Sequence, residues 1–351
     1  MFFDKKLTIW YLQNKRDLPW RKTKNPYSVW LSEIMLQQTR VSQGLPYFQR
    51  FKEAFPTVFD LANAEESTVL KLWQGLGYYS RARNLHHTAK HVAYQLDGVF
   101  PSNYKDLLKL KGVGEYTASA IASICFDEPV AVVDGNVYRV LSRVFGIRTP
   151  INSVAGIKEF KNLAQSLLSR NEPGNYNQAI MDFGALNCKP QKPLCENCSL
   201  SVECIAFKND LVKELPIKEK KVKIRKRFFN FLVLNTDDGK TILEERKTKG
   251  IWQGLYQFPL IETKKIISAD ELVENSCFNQ MNLEGCVINK FNKKTIIHKL
   301  SHQHLHTQFW IISVNRNDQA NLNWSQILEK PVPVLIEKFI EEYRKTLVQK
   351  E

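Results

Sequence analysis

Four cysteines stand close together as Cys188-x6-Cys195-x2-Cys198-x5-Cys204. Thiolates at this density can wrap one tetrahedral metal ion or one cubane iron–sulfur cluster. Structural zinc usually draws on two close pairs, each separated by about two to four residues, and only Cys195 and Cys198 make such a pair. Cys125, Cys277 and Cys286 are scattered, as small core residues would be.

Two carboxylates suggest acid–base work. Asp134 follows an apolar run and precedes a helix in Val132-Val133-Asp134-Gly135-Asn136-Val137. Aspartate is favoured at a helix N-cap, and a carboxylate oriented there can also stabilise a cationic transition state. Glu33 lies in Trp30-Leu31-Ser32-Glu33-Ile34-Met35-Leu36-Gln37-Gln38-Thr39. Apolar neighbours on a buried helix would raise its pKa and suit it to act as a general acid; on a surface helix it would be an ordinary solvated glutamate. Between these carboxylates, Leu110-Lys111-Gly112-Val113-Gly114 lets the backbone turn sharply and offers the N–H groups that open the next helix to a phosphate. An ordinary helix–helix turn would read the same way.

The elements that must carry these residues differ between the two halves. Up to about residue 210 the periodicity predicts helices, as over Val29 to Ser42, Glu66 to Gln74, Ser80 to Tyr94, Asn103 to Lys109 and Thr117 to Ile124. Breaks are expected at Pro46, Pro56, Gly75, Gly98, Pro101, Gly112 and Gly114. The run Lys218 to Arg227 then carries seven basic residues and one acidic residue, which reads as a solvated linker. Beyond it, Phe228 to Leu234, Thr241 to Glu245, Thr295 to Lys299 and Gln308 to Val314 read as strands, and Val334 to Lys345 as a closing helix. His302, His304 and His306, spaced by two, suggest a strand with one exposed face.

The 351 residues allow two or three domains, and 43% apolar with 25% charged residues exclude a disordered or collagenous chain. No stretch approaches the roughly 18 apolar residues that a bilayer demands, and Met1 to Asp17 lacks the order of a secretory signal. The expected setting is therefore cytoplasmic, with no membrane partner. Fifty Lys and Arg against 36 Asp and Glu leave a net charge of +14, which attracts a polyanion and makes nucleic acid the first partner to consider.

A helix-hairpin-helix, an aspartate some twenty residues on and a four-cysteine loop together resemble the endonuclease III superfamily of base-excision DNA glycosylases. Through SEIMLQQTRV, GLGYYSRARNL, LKGVGEYTASAI and VDGNVYRV the chain closely resembles the adenine DNA glycosylases of the MutY type. The resemblance covers nearly the whole chain. It implies a multidomain fold: an all-α helix-hairpin-helix glycosylase core with a [4Fe-4S] loop, followed by an α+β Nudix-like domain. The core would span 1–212, with a six-helix subdomain at about 25–131 and an iron–sulfur subdomain from 1–24 plus 132–212. A basic linker at 213–226 would lead to a lesion-recognition domain at 227–351.

The implied activity is hydrolysis of the N-glycosidic bond of adenine mispaired with 8-oxoguanine or guanine in duplex DNA, by a monomer at the nucleoid. Glu33 would protonate adenine N7 and then help activate water. Asp134 would stabilise the oxocarbenium-like sugar, with Tyr116 and Asn136 in support. Bifunctional relatives, the alternative reading, carry a lysine where this chain has Tyr116, and a phenol cannot form an imine. Cys188, Cys195, Cys198 and Cys204 would hold the cluster. DNA contacts are expected from Arg21, Gln37, Gln38, Thr39, Leu76, Tyr78, Tyr79, Arg81, Arg83, Lys111, Gly112, Val113 and Gly114, of which Tyr78 and Tyr79 also suit a core. Lys249 to Pro259 anchors the Nudix-like resemblance, yet no glutamate run follows Phe258 to hold magnesium, so Nudix hydrolysis is not expected. Leu300-Ser301-His302 aligns with the family's Phe-Ser-His loop, so that Ser301 and His302 would meet 8-oxoguanine while Leu300 gives up aromatic contact area.

Overall fold

The computed structural model describes residues 2–219, 224–281, 283 and 285–348. Residues 220–223, in the middle of the expected linker, lie outside the described residues. The chain forms two compact units, Met1–Asn63 with Arg83–Lys220, and Ala64–Ala82 with Lys221–Glu351.

The first unit is helical, without a strand among its described residues. It contains α1 (Phe2–Asn14), α2 (Pro26–Leu36), α3 (Val41–Ala54) and α4 (Val58–Asn63); α5 (Glu66–Leu72) belongs to the other unit. Most of α6 (Ser80–Gln95) follows, then α7 (Tyr104–Leu107), α8 (Glu115–Phe126), α9 (Gly135–Phe145), α10 (Val154–Leu167), α11 (Pro173–Leu186) and α12 (Ile205–Lys208). Asn25 caps α2 by accepting from the Ser28 N–H, and Pro26 supplies the preset first turn. Every residue from Tyr27 to Met35 is buried. The neighbour α8 presents Ala118, Ser119, Ala120 and Ala122, small side chains that let the two helices approach. At Gly184 on α11 a Cβ would stand 2.6 Å from the Asn136 Cβ, so glycine sets the approach of α11 to the start of α9.

The helix expected from Val29 to Ser42 stops at Leu36, because the chain turns through Gln38 in the left-handed region at φ 55°. Pro46 does not break a helix; it lies inside α3, where both it and Ser42, whose carbonyl loses a donor, are exposed to water. The expected helix before the hairpin is one turn, α7, capped by Asn103.

The second unit is built on a mixed sheet. Its strands are β1 (Arg225–Thr236), β2 (Lys240–Thr241), β3 (Glu244–Glu245), β4 (Tyr256–Gln257), β5 (Leu260–Thr263), β6 (Val287–Lys290), β7 (Ile296–Lys299), β8 (Gln303–Val314) and β9 (Leu322–Asn323). The main sheet runs β5-β1-β8-β6, with β7 also on β8. β1 and β8 are parallel, pairing Phe231 with Phe309, and the other pairs are antiparallel. The strand expected over Thr241 to Glu245 is two pieces, since β2 pairs with β9 and β3 with β4.

Side chains alternate across this sheet. Leu232, Leu234, Trp310 and Ile312 face one way, onto Leu272 and Phe278 of the short helices α13 (Ala269–Val273) and α14 (Ser276–Asn279). The other face meets α16 (Val334–Val348), which follows α15 (Trp324–Glu329). There Phe339 stacks on Phe309 at 4.1 Å, and Phe309 on Phe231 at 5.3 Å. The Ala64–Ala82 segment joins this unit through hydrogen bonds. Lys71 donates to the Leu328 carbonyl at 2.7 Å, Gln74 to Glu337 at 2.6 Å, and the Val332 N–H to Gln74 at 3.2 Å. The histidine strand is less open than expected, with His304 and His306 half-buried and His306 stacked on Phe228 at 5.0 Å. Cys277 is exposed rather than core, because α14 turns it outward, while Cys125 and Cys286 are half-buried. Among the described residues no helix is long and apolar enough to cross a membrane.

Candidate active site

A cleft of roughly 1370 Å3 opens in the first unit. Its walls bring together Glu33 from α2, Tyr116 from α8, Asp134 and Asn136 at the start of α9, and Gln178 and Met181 from α11. Arg21, Gln37, Gln38, Thr39 and Gly114 also line it. Gln37 donates to the Thr117 hydroxyl at 3.2 Å.

Glu33 and Asp134 are both raised by burial but differ in the donors around them. Burial pushes the Glu33 carboxyl up to about 7; a hydrogen bond with Tyr116 opposes the rise, the Asp134 charge adds to it, and Arg21 opposes it. Burial also raises Asp134, but this carboxylate is the N-cap of α9. It accepts from the backbone N–H of Asn136 at 2.9 Å and of Val137 at 2.8 Å, and from the Asn136 side chain at 2.7 Å. Three donors and a helix start favour the anion. Of the two, Glu33 is the better placed to carry a proton, and Asp134, with its three donors, to carry charge. Such a pair can donate a proton to a leaving group and stabilise a neighbouring cation.

Tyr116 is hydrogen-bonded to Glu33, and its hydroxyl oxygen lies 3.1 Å from the Met181 sulfur. Burial, first of all, holds this phenol well above its ordinary pKa, so it stays neutral. The lysine that lines the cleft is Lys161, whose ammonium is paired with Glu115 at 2.5 Å.

The hairpin places Lys111, Gly112 and Gly114 at the surface, while the Val113 side chain is buried, which leaves its backbone as the part that can face outward. Gly112 has φ +82°, a conformation that glycine adopts without strain, and Gly114 is the N-cap of α8.

The four cysteines wall a separate small cavity of about 20 Å3, closed by Arg143, Phe183, Pro193, Leu200 and Val212. Arg143 donates to the Cys188 sulfur at 3.5 Å and the Leu200 N–H to that of Cys198 at 3.4 Å. Arg139 links this loop to the cleft, donating to the Cys188 carbonyl at 2.7 Å and to the Asn136 side chain at 2.9 Å. Among the described residues no three Cys, His, Asp or Glu side chains could hold a single metal ion. Four thiols around one shared cavity are a donor set that suits an inorganic group held by sulfur. Cationic Arg143 and the Leu200 N–H suit its negative charge.

The comparisons with known proteins agree with both halves. Residues 31–166 match the HhH-GPD superfamily of base excision DNA repair proteins, and residues 230–342 match the NUDIX domain. An adenine DNA glycosylase of Buchnera aphidicola subsp. Schizaphis graminum is 34% identical over 96% of this chain and 98% of its own length. The chain belongs to the adenine DNA glycosylase family. The adenine DNA glycosylase of Homo sapiens is 45% identical over 57% of this chain and 38% of its own. A thermostable thymine-DNA glycosylase structure has 31% identity and a TM-score of 0.55, covering 59% of this chain and 95% of that one. An endonuclease III–DNA complex, at 22% identity and TM-score 0.53 over 60% and 95%, shares the helical fold. The expected fold class is thus the observed one, a helix-hairpin-helix glycosylase core followed by a Nudix-like domain with strands. The enzyme class, glycosylase, follows from the family.

In this member of the adenine DNA glycosylase family the second unit joins two expected DNA-contact residues. Tyr78, 47% exposed and in the left-handed region at φ 48°, has its hydroxyl 2.6 Å from that of Ser301. Ser301 and His302 are exposed. Leu76 and Tyr79 are buried, and the Tyr79 hydroxyl donates to the Val332 carbonyl at 3.4 Å, the core reading that the sequence had left open for Tyr79. Arg81 is buried with its guanidinium over Trp73 and Tyr78 and donates to the Gly77 carbonyl at 3.1 Å. Its cation orders the 75–79 turn instead of facing a phosphate, whereas Arg83 is half-exposed. Sequence reasoning missed Arg16, Gln178, Met181 and Asp182, which carry no local spacing signal.

Proposed function

We propose that this chain hydrolyses the N-glycosidic bond of adenine mispaired with 8-oxoguanine or guanine in duplex DNA, leaving an abasic site without nicking the strand. The observation that carries the reading is geometric: one cleft holds a buried Glu33 and an Asp134 fixed as a helix cap by three donors. Adenine flipped from the stack presents N7 to Glu33, which protonates it and makes the base a better leaving group. The glycosidic bond breaks with its electron pair going to adenine, and positive charge grows on the sugar beside Asp134. Asn136 holds Asp134 by donating at 2.7 Å, and Tyr116 holds Glu33. Glu33, now a carboxylate, takes a proton from the water that adds to the sugar. Tyr116 offers a phenol where a nicking relative needs an amine, and Lys161 is engaged by Glu115.

Cys188, Cys195, Cys198 and Cys204 would hold a [4Fe-4S] cluster. Coordinated by all four, it would tie the 188–204 loop to Arg143 and stay out of the hydrolysis. In the second unit Tyr78, Ser301 and His302 meet 8-oxoguanine, and in the first unit Gln38 is a DNA contact. Gln37, Thr39, Arg83, Lys111, Gly112, Val113 and Gly114 face the DNA, the last three through backbone, while Arg21, held by Asp182, lines the cleft. The enzyme acts as a monomer in the cytoplasm, at the nucleoid.

The test is a labelled duplex with one A opposite 8-oxoguanine and an A:T control, quenched with or without hot alkali. Cleavage of the A strand only in the mispair and only after alkali is expected. Cleavage without alkali would overturn the monofunctional reading, and cleavage of the A:T control would overturn the mispair specificity.

A further inference from the structure

Asp182, on α11, takes no part in the steps above. Its side chain is fully buried, and it gathers two arginines. It accepts from Arg16 through the backbone N–H at 3.3 Å, Nε at 2.9 Å and Nη2 at 2.5 Å. It accepts from Arg21 through Nη2 at 2.8 Å and through Nη1. Both arginines line the cleft that holds Glu33. Arg21 also lies over the Tyr11 ring, whose hydroxyl donates to Gln178 at 2.6 Å.

Two carboxylates act on Arg21, Asp182 and Glu33, and Asp182 is the one hydrogen-bonded to it. A partly buried guanidinium without another anion pairs with whatever carboxylate it can reach, commonly by a bidentate contact. A Glu33 so paired would be ionised and would have no proton to give. We infer that Asp182 is a positioning residue that anchors Arg21 on the cleft wall and thereby denies Glu33 an ion-pair partner. The inference rests on the assignment of Glu33 as general acid. The other groups acting on Glu33 are Tyr116 from α8 and Asp134 at the start of α9, and the Cys125 thiol at the end of α8 also senses it. Those around Asp182 are Arg16, Arg21 and, from α1, Tyr11.

The test is single-turnover excision against pH with the full chain, comparing wild type, Asp182→Asn and Arg16→Gln. Asp182→Asn should move the alkaline limb down by about one pH unit, so that the ratio of rates at pH 6 and pH 8 grows about fivefold. Arg16→Gln, which keeps the Asp182–Arg21 contact, should leave the limb in place. If Asp182→Asn is insoluble, the double variant Asp182→Asn/Arg16→Gln, which buries one cation fewer, carries the same expectation. A slower variant whose limb stays at the wild-type position would reduce Asp182 to a structural role and overturn the inference. A wild-type rate that is flat across this range would overturn the assignment of Glu33 itself, and the inference with it.

Discussion

The hydroxyl of Tyr78 lies 2.6 Å from that of Ser301, 223 positions further along the chain. The two exposed side chains therefore form one polar tip before any DNA is present. Tyr78→Phe keeps the ring and removes this hydrogen bond, which for a neutral pair contributes about 0.5–1.5 kcal/mol. Its excision preference for A opposite 8-oxoguanine over A opposite guanine should fall by roughly two- to tenfold, measured as the ratio of single-turnover rates.

The rate of base release should depend on pH through Glu33. With its carboxyl near 7, the protonated form is complete in mild acid and is lost as pH rises through neutrality. The logarithm of the excision rate should therefore be level below about pH 6 and fall with a slope of about −1 above pH 8. A stopped reaction series across this range reads the midpoint directly.

Glu33→Gln should abolish excision and stabilise the fold in alkali. Burial holds the Glu33 carboxyl at about 7 in the folded chain against an ordinary 4.5, so between these values the folded state binds more protons than the unfolded one. Stability then declines as pH rises through this window, by at most about 3 kcal/mol. Glutamine carries no such charge. Urea unfolding at pH 5 and pH 8 should show the variant gaining on the wild type only at the higher pH.

Asp134→Asn should keep the fold and remove the chemistry. Asparagine is as good an N-cap as aspartate, so α9 retains its start, but the charge facing the sugar is gone. Excision should drop by at least about a hundredfold while binding to the mispaired duplex persists, checked by single-turnover kinetics and fluorescence anisotropy.

Cys198→Ser should bleach the protein. Iron–thiolate clusters absorb near about 400 nm, where zinc sites do not, so purified wild type should be straw-coloured and the variant should lose most of the band. The same spectra give the metal identity, which iron analysis would check.

Much of the cleft was legible because its parts carry local signals. Asp134 stands where an apolar run meets a helix start, whereas Glu33 read equally as a surface glutamate until the family resemblance singled it out, and the structure buries it on α2. The cysteine spacing is likewise local. Asp182 was invisible because its meaning lies in Arg16 and Arg21, which only the packing of α11 beside the 16–21 segment brings to it. The turn at Gln38 was hidden because Gln37 to Arg40 holds no Gly or Pro to mark a break, and the split of the Thr241 to Glu245 strand by partners that are distant in sequence. Nothing in the Ala64–Ala82 segment announces its hydrogen bonds to residues 328 to 337, since helical periodicity says which face is apolar and not what covers it.

The ring stack under α16 makes the final helix more than a terminus. Phe231, Phe309, Phe339 and Tyr343 lie nearly face to face in series. A nonsense codon ahead of Val334 would strip the outer two rings and leave a flat aromatic surface on a β-sheet open to water, which invites self-association. The expected phenotype of such an allele is insolubility, with the helical unit and every residue of its cleft still encoded intact.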